Sequence, residues 1–418
     1  MMTPRYGSGR VARAGVGDAR PLNSGRLRVA VLLSTRFFED FYGREVGITG
    51  ADYLESYRND WSWDWCALLH EQGIDARIYV ASLDESGATR TADGFGVRFL
   101  SVGRSYWPWV RFPVLERSPL GRFVGQAANA AAFLRPLQAA LADDRIDVLC
   151  VQEYWTARFD VLARALSVPI VAVDQGLPDR HEVKLLKRGS FARASRVIVQ
   201  TAAEAVKVAT RGGSAVQIPN AVDAELFSPA PARVSAVPPS VLCTGRLHDA
   251  QKRTSDLIKA LVLLPPDWSL DVVGTGPDQQ ALQSLARQAG VVERVRFHGF
   301  VGSKQRLRDL YRTCGVFALP SAYEGLPMGL LEAMACGAAV VGSDIAAIAS
   351  VVDPRVNGLL TPVGRPDRLA AALLEAFTRR DELGAGARAV VESRFSRAAV
   401  GPTLASCFRE AAHGGPGS

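Results

Sequence analysis

The stretch 319–342, LPSAYEGLPMGLLEAMACGAAVVG, carries more chemistry than any other in the chain. Glu324 sits in a loop after an apolar run, and Glu332 lies about one turn into a helix, with seven residues between them. A helix that starts after a parallel strand offers unpaired N–H groups and the positive end of its dipole, which suits phosphate. Gly325, Leu326, Pro327, Met328 and Gly329 stand at that start, and glycine lets a backbone come close because it has no Cβ. An ionised carboxylate only accepts hydrogen bonds, so the two glutamates suit the hydroxyls of a sugar or ribose. A phosphate flanked by hydroxyls describes a sugar nucleotide. The plainer alternative is that acidic residues near a helix start serve only its dipole, and that surface glutamates are common.

Further groups of the same kind end neighbouring strands. Gly245-Arg246 closes one apolar run and Lys252 follows in the next loop, where two cations can clamp a diphosphate and stabilise a leaving nucleotide. Alone, such cations are usually only solvated. Gly274, Gly276 and Pro277 end the next strand. His298 to Val301 end the one after, where Phe300 and Val301 offer an apolar shelf and backbone groups to a base.

The elements that must position these residues alternate strand and helix. In the first half, 27–34 and 76–81 read as strands, 35–50 as a glycine-bearing loop, and 54–72 as a single helix using Trp61, Trp65, Leu68 and Leu69 for packing. That loop lacks G-x-G-x-x-G, so the dinucleotide fingerprint is absent. From Ala130 the alternation resumes with VLCVQ, PIVAVDQG, SRVIVQ and VQIPN as strands. Three prolines argue against a long helix in 104–123, a stretch of Arg, Trp and Phe that reads as a packed loop or as a surface for a membrane or an acceptor. A proline-rich linker covers 227–240, and a second α/β series begins at Val241. The expected fold class is α/β: two doubly wound Rossmann-like domains, 27–226 and 241–396, facing across a cleft with the ligand outside the strand ends.

Composition narrows the function classes. The 418 residues carry a net charge of +7, but residues 1–28 hold six Arg against one Asp. The rest is close to neutral, which argues against nucleic acid as a partner, and 1–26 reads as a disordered basic tail. With no long apolar run and no signal peptide pattern, the expected location is the cytoplasm. The six scattered cysteines lack C-x-x-C spacing, so buried thiols are expected and no structural zinc.

With these residues in view, the second half resembles the family 4 glycosyltransferases, which have the GT-B architecture. PNAVDAELFSP, GRLHDAQKR, VGTGPDQQAL, FHGFV, SAYEGLPMGLLEAMACG and NGLLTPVG occur in family order over 219–364, about a third of the chain. The resemblance implies a hexosyltransferase that retains anomeric configuration. Arg246 and Lys252 would bind the donor diphosphate, Glu324 the sugar hydroxyls and Glu332 the ribose. Gly245, Gly274, Gly276, the amides of 325–328 and the Phe300–Val301 loop would complete the donor site. The co-substrate would be UDP- or GDP-linked, with no cofactor and, lacking D-x-D, no metal. The acceptor would be a carbohydrate, a lipid-linked glycan or a small molecule, with peripheral contact at the inner membrane face left open. The last helix, within 397–418, would return to the first domain.

The first half departs from the family pattern. FYGREVGITG, with Gly43, stands where paired glycines are common. Gln175 replaces a histidine that commonly ends its strand, with His181 as a substitute and Glu153 as an acceptor contact. Gln175 can hydrogen-bond a sugar but cannot act as a base. Two other readings stay open: a sugar-nucleotide epimerase or hydrolase of the same fold, and a degenerate, non-catalytic binding subunit.

Overall fold

The computed structural model describes residues 25–33, 37–58, 61–102, 118–174, 184–231 and 238–413. Short runs of Val, Ile, Leu and Ala, buried on both faces, form strands β1 (Arg28–Leu32), β2 (Asp75–Ser82), β3 (Gly87–Arg90), β4 (Gly96–Ser101), β5 (Val148–Gln152), β6 (Ile170–Val173), β7 (Arg196–Val199) and β8 (Ala215–Gln217). They make one sheet in the order β3-β4-β2-β1-β5-β6-β7-β8, parallel except for the antiparallel β3–β4 pair. That hairpin was not anticipated. β3 is GATR, exposed throughout, so it has no apolar alternation to announce it.

The second sheet contains β9 (Ser240–Thr244), β10 (Ser269–Val273), β11 (Val295–Gly299), β12 (Val316–Leu319), β13 (Val340–Ser343) and β14 (Leu359–Thr361). Its order is β11-β10-β9-β12-β13-β14, with every pairing parallel. The strand order reverses between β9 and β12, and the crevice beyond such a switch point is where open α/β sheets bind ligands. Apolar clusters cover both faces of each sheet, giving an α/β fold of two doubly wound domains.

Three local expectations are corrected. Within 35–50 lies a π-helix, Glu39–Val46, because Phe37, Phe38 and Tyr42 are buried in the core and Gly47, at φ 81°, stops the turn. The region 54–72 is two helices, Gly50–Glu55 and Trp61–Glu71. The capping box of Thr49 and Asp52 starts the first. The Arg58 guanidinium takes the carbonyls of Tyr53, Leu54 and Tyr57 at 2.7–3.2 Å, which satisfies groups that a continued helix would use. The helix Pro119–Asp143 starts well before Ala130, since Ser118 caps it and Pro119 occupies the first turn, where a missing N–H costs nothing.

The crossing between sheets starts upstream of the proline-rich stretch, since Val222 and Phe227 already belong to the second domain's core. At the far end, the helix Arg397–His413 crosses back. Val400, Leu404, Phe408 and Ala411 enter the first domain's core, and Phe408 meets Trp65 edge-on at 6.4 Å. Among the described residues no helix is long and apolar enough to cross a membrane.

Candidate active site

A cleft of about 790 Å³ opens where the strands of the second sheet end, walled on its other side by the first domain. The thirteen donor-site candidates of the second domain line it: Gly245, Arg246, Lys252, Gly274, Gly276, Phe300, Val301, Gly325, Leu326, Pro327, Met328 and both glutamates, Glu324 and Glu332. They come from four strand ends that are distant in sequence and adjacent in sheet order.

The cationic side is built by backbone crossing. The loops after β9 and β10 run against each other, with Gly245 N–H donating to Val273 at 3.0 Å and Leu247 N–H to Thr275 at 2.8 Å. Gly274 has φ +132°, and a Cβ there would lie 1.9 Å from the Gly245 carbonyl oxygen. One on Gly276 would lie 2.4 Å from that of Leu247. These glycines are required for loop-on-loop contact, whatever the ligand. Arg246 is thereby held at the cleft mouth. Lys252 ends a helical turn, Asp249–Lys252, fixed by Asp278, which accepts from Asp249 N–H at 2.7 Å. The Asp249 carboxylate in turn accepts from Ser255 N–H and Oγ at 2.8 and 2.6 Å.

Across the cleft, the Met328–Ala335 helix has no side-chain cap and no acidic residue in its first turn, so its positive end faces the cavity. Glu324 bonds Lys252 Nζ at 2.6 Å and Ser321 Oγ at 2.6 Å. The pair is largely sheltered, with side-chain exposures of 19% for Lys252 and 6% for Glu324. Glu332 lies deeper. Its Oε2 accepts from Tyr311 Oη at 3.0 Å, and Tyr311 meets Thr244 Oγ1 at 3.2 Å. Desolvation pushes the Glu332 carboxyl up to about 7, against the opposing pull of Lys304 and the Tyr311 hydrogen bond, while Asp64 adds to the rise.

The base-shelf residues divide. Phe300 is 49% exposed and stands in the cleft, whereas Val301 is buried beneath it. His298 turns into the sheet edge and places Nε2 2.7 Å from Asp271 Oδ1.

The first domain contributes Phe41, Val46, Tyr57, Trp61 and Asp64. Trp61 packs against the first domain's core as expected, edge-on to Trp65 at 5.0 Å, and is also half-buried on the cleft wall. Gly43 lies within the π-helix between two lining residues, with room for a Cβ, and is not itself in the lining. Glu153 follows β5 at φ 57° and is not in the lining either. Gln175 and His181 lie outside the described residues, as does most of 104–123.

Sequence reasoning missed Lys304, Leu307 and Tyr311. Their spacing of i, i+3 and i+7 puts them on one face of the Lys304–Thr313 helix, and that pattern was visible. Lys304 Nζ reaches Asp64 of the first domain at 2.6 Å, and Arg397 reaches the same oxygen at 3.2 Å. Among the described residues no group of three His, Cys, Asp or Glu side chains is placed to hold a metal ion.

The glycosyl transferases group 1 family model matches residues 238–379. Over 300 residues the chain is 30% identical to the phosphatidyl-myo-inositol mannosyltransferase of Mycolicibacterium smegmatis, covering 67% of this chain and 74% of that protein. Over 152 residues it is 31% identical to the lipopolysaccharide 1,6-galactosyltransferase of Salmonella typhimurium, covering 34% of this chain and 42% of that one. The match thus spans less than half of the Salmonella protein's length. Among solved structures, Anabaena HepE in complex with UDP-glucose superposes with a TM-score of 0.64 at 19% identity, covering 92% of this chain and all of that one.

Proposed function

Because the chain belongs to the glycosyl transferases of group 1 and has their GT-B fold, we propose that it moves a hexosyl group from a nucleotide-sugar donor to an acceptor hydroxyl, retaining anomeric configuration and using no metal ion. One observation carries the proposal: Arg246, Lys252, an uncapped helix start and two glutamates converge on one cleft edge. The same cleft in a nucleotide-sugar enzyme needs cations where the diphosphate departs and acceptors where hydroxyls lie. The UDP-glucose held by HepE supports that class of donor, and the sugar-transferring relatives support that class of reaction. The same names are in keeping with a carbohydrate or lipid-linked acceptor.

In this scheme the donor's diphosphate enters between Arg246, Lys252 and the N–H groups at Met328. It draws Lys252 from Glu324, which is then free to accept from sugar hydroxyls, while Glu332 accepts from the ribose. The bond from the anomeric carbon to the phosphate oxygen breaks, and the acceptor oxygen bonds that carbon on the same face. The acceptor's proton passes to the departing phosphate. The cations and the helix end hold the charge that develops there, the role a metal ion plays elsewhere.

The test is transfer and hydrolysis assayed with UDP-, GDP- and ADP-hexoses, with and without EDTA. Turnover with one nucleotide, unchanged by EDTA and reduced roughly 10²–10³-fold in both Arg246→Ala and Lys252→Ala, is the expected result. Near-normal rates in both variants would sink the assignment.

A further inference from the structure

The parallel strands of the first sheet end at the cleft and begin on the opposite side of the domain. At that opposite edge a separate hollow of about 220 Å³ is lined by Arg26, Arg28, Arg90, His70 and Asp75. Arg26 and Arg28 come from the entry to β1, and Arg90 from the end of β3. A five-residue strand rises roughly 3.3 Å per residue, so about 15 Å of sheet separates this hollow from the cleft.

Its charge is not balanced from within. None of the three guanidiniums has a carboxylate partner among the described residues. Arg90 has a bond to the Gly94 carbonyl at 3.3 Å, and the bond from Arg28 to Asp147 uses the main-chain N–H at 2.8 Å. Asp75, the acid in the wall, is engaged by Arg77 at 2.8 Å. His70 is fixed by stacking on Phe95 at 5.1 Å, with Nε2 2.9 Å from the Ala76 carbonyl. Burial holds its pKa below the ordinary value. The contact with Ala76 and the charge of Asp75 oppose that, and Arg90 and Arg26 add to it. Arg26 and Arg90 are solvent-exposed and Arg28 is half-buried, and three like charges around one concavity with a single carboxylate in its wall attract an anion. Guanidinium forks match phosphate oxygens in pairs, and the volume suits a phosphate group with a few attached atoms rather than a nucleotide sugar.

We infer that the Arg26–Arg28–Arg90 hollow is a second ligand site, which binds the phosphate group of a small phosphorylated molecule or of an anionic lipid headgroup independently of the cleft. The probes are inorganic phosphate, titrated calorimetrically, and vesicles of phosphatidylcholine with and without 30% phosphatidylglycerol, sedimented with the full chain. Wild type, Arg28→Gln/Arg90→Gln and Arg246→Ala are compared, with melting temperature as the check on folding. Because Arg90 lies on an exposed edge strand, Arg90→Gln alone serves if the double variant unfolds.

Phosphate binding weakened at least tenfold in the hollow variants but retained in Arg246→Ala supports the site and a free phosphorylated ligand. Binding to the anionic vesicles lost in the same variants supports the site and a headgroup. Donor hydrolysis should be unchanged in both hollow variants. No binding of either probe overturns the inference, as does binding that Arg28→Gln/Arg90→Gln leaves intact. Phosphate binding lost only in Arg246→Ala would assign it to the cleft and also overturn the inference, while leaving the proposed reaction standing.

Discussion

At the scale of single residues, the cleft trades stability for readiness. Glu332 is the clearest case, a carboxylate whose folded pKa is raised to about 7 from an ordinary 4.5. Between those two values the folded state holds more protons than the unfolded chain, so stability falls as pH rises through that window. Glu332→Gln mimics the protonated form. It should raise the melting temperature at pH 8, by an amount equivalent to roughly 1–3 kcal/mol, and change little at pH 5. Donor binding should weaken in the same variant, since an amide accepts fewer hydroxyl bonds than a carboxylate. Equal shifts at both pH values, followed by thermal melting, would show that Glu332 is not the group that titrates. The residue types of this site were legible because each stands at, or in the loop or helix that follows, the end of an apolar run. Their pairings were not, because Lys252 meets Glu324 only after the sheet sets β9 beside β12. Glu332's elevated pKa was hidden for the same reason, since Tyr311 and Lys304 reach it from one helix and Asp64 from another in the first domain.

At the scale of elements, parallel strands announced themselves and irregular ones did not. VLCV of β5 and VIV of β7 are unbroken apolar runs buried on both faces, and such runs have few other uses. The π-helix Glu39–Val46 was disguised by Gly43 inside it and Gly47 at its end, and two of its aromatic anchors, Phe37 and Phe38, precede it. The crossed loops after β9 and β10 give a prediction that belongs here. Gly274→Ala combines a disfavoured φ with a collision against main chain, so the two loops must part. We expect a loss of more than about 2 kcal/mol in chemical denaturation, with donor binding abolished because Arg246 leaves with its loop. Gly43→Ala is the control. Its Cβ would meet only Glu39 Cβ at 3.8 Å, and both stability and donor binding should be unchanged.

At the scale of the whole molecule, charge holds the domains together across the cleft. Asp64 receives Lys304 from the second domain and Arg397 from the returning helix, and Arg397 also reaches Glu71 and Asp223 at 3.2 and 3.0 Å. Removing the Asp64 charge takes the carboxylate from between Lys304 and Arg397, and only Arg397 keeps others, Glu71 and Asp223. Asp64→Asn should open the molecule in small-angle scattering and weaken donor binding roughly fivefold, equivalent to about 1 kcal/mol. Added salt should move wild type the same way, and an unchanged scattering profile would remove the latch from the account.

The returning helix also sets the order in which the protein can be made. Val400, Leu404, Phe408 and Ala411 fill the same cluster as Val29, Trp65 and Leu68, yet the ribosome adds them after the entire second domain. At about 5–20 residues per second, that delay is roughly 10–40 s. Throughout it the nascent first domain presents a greasy seam with its plug not yet synthesised. The chain is therefore a predicted client of ribosome-associated chaperones, and a peptide spanning 397–413, supplied in trans, should rescue a nascent chain stalled at residue 231 from aggregation.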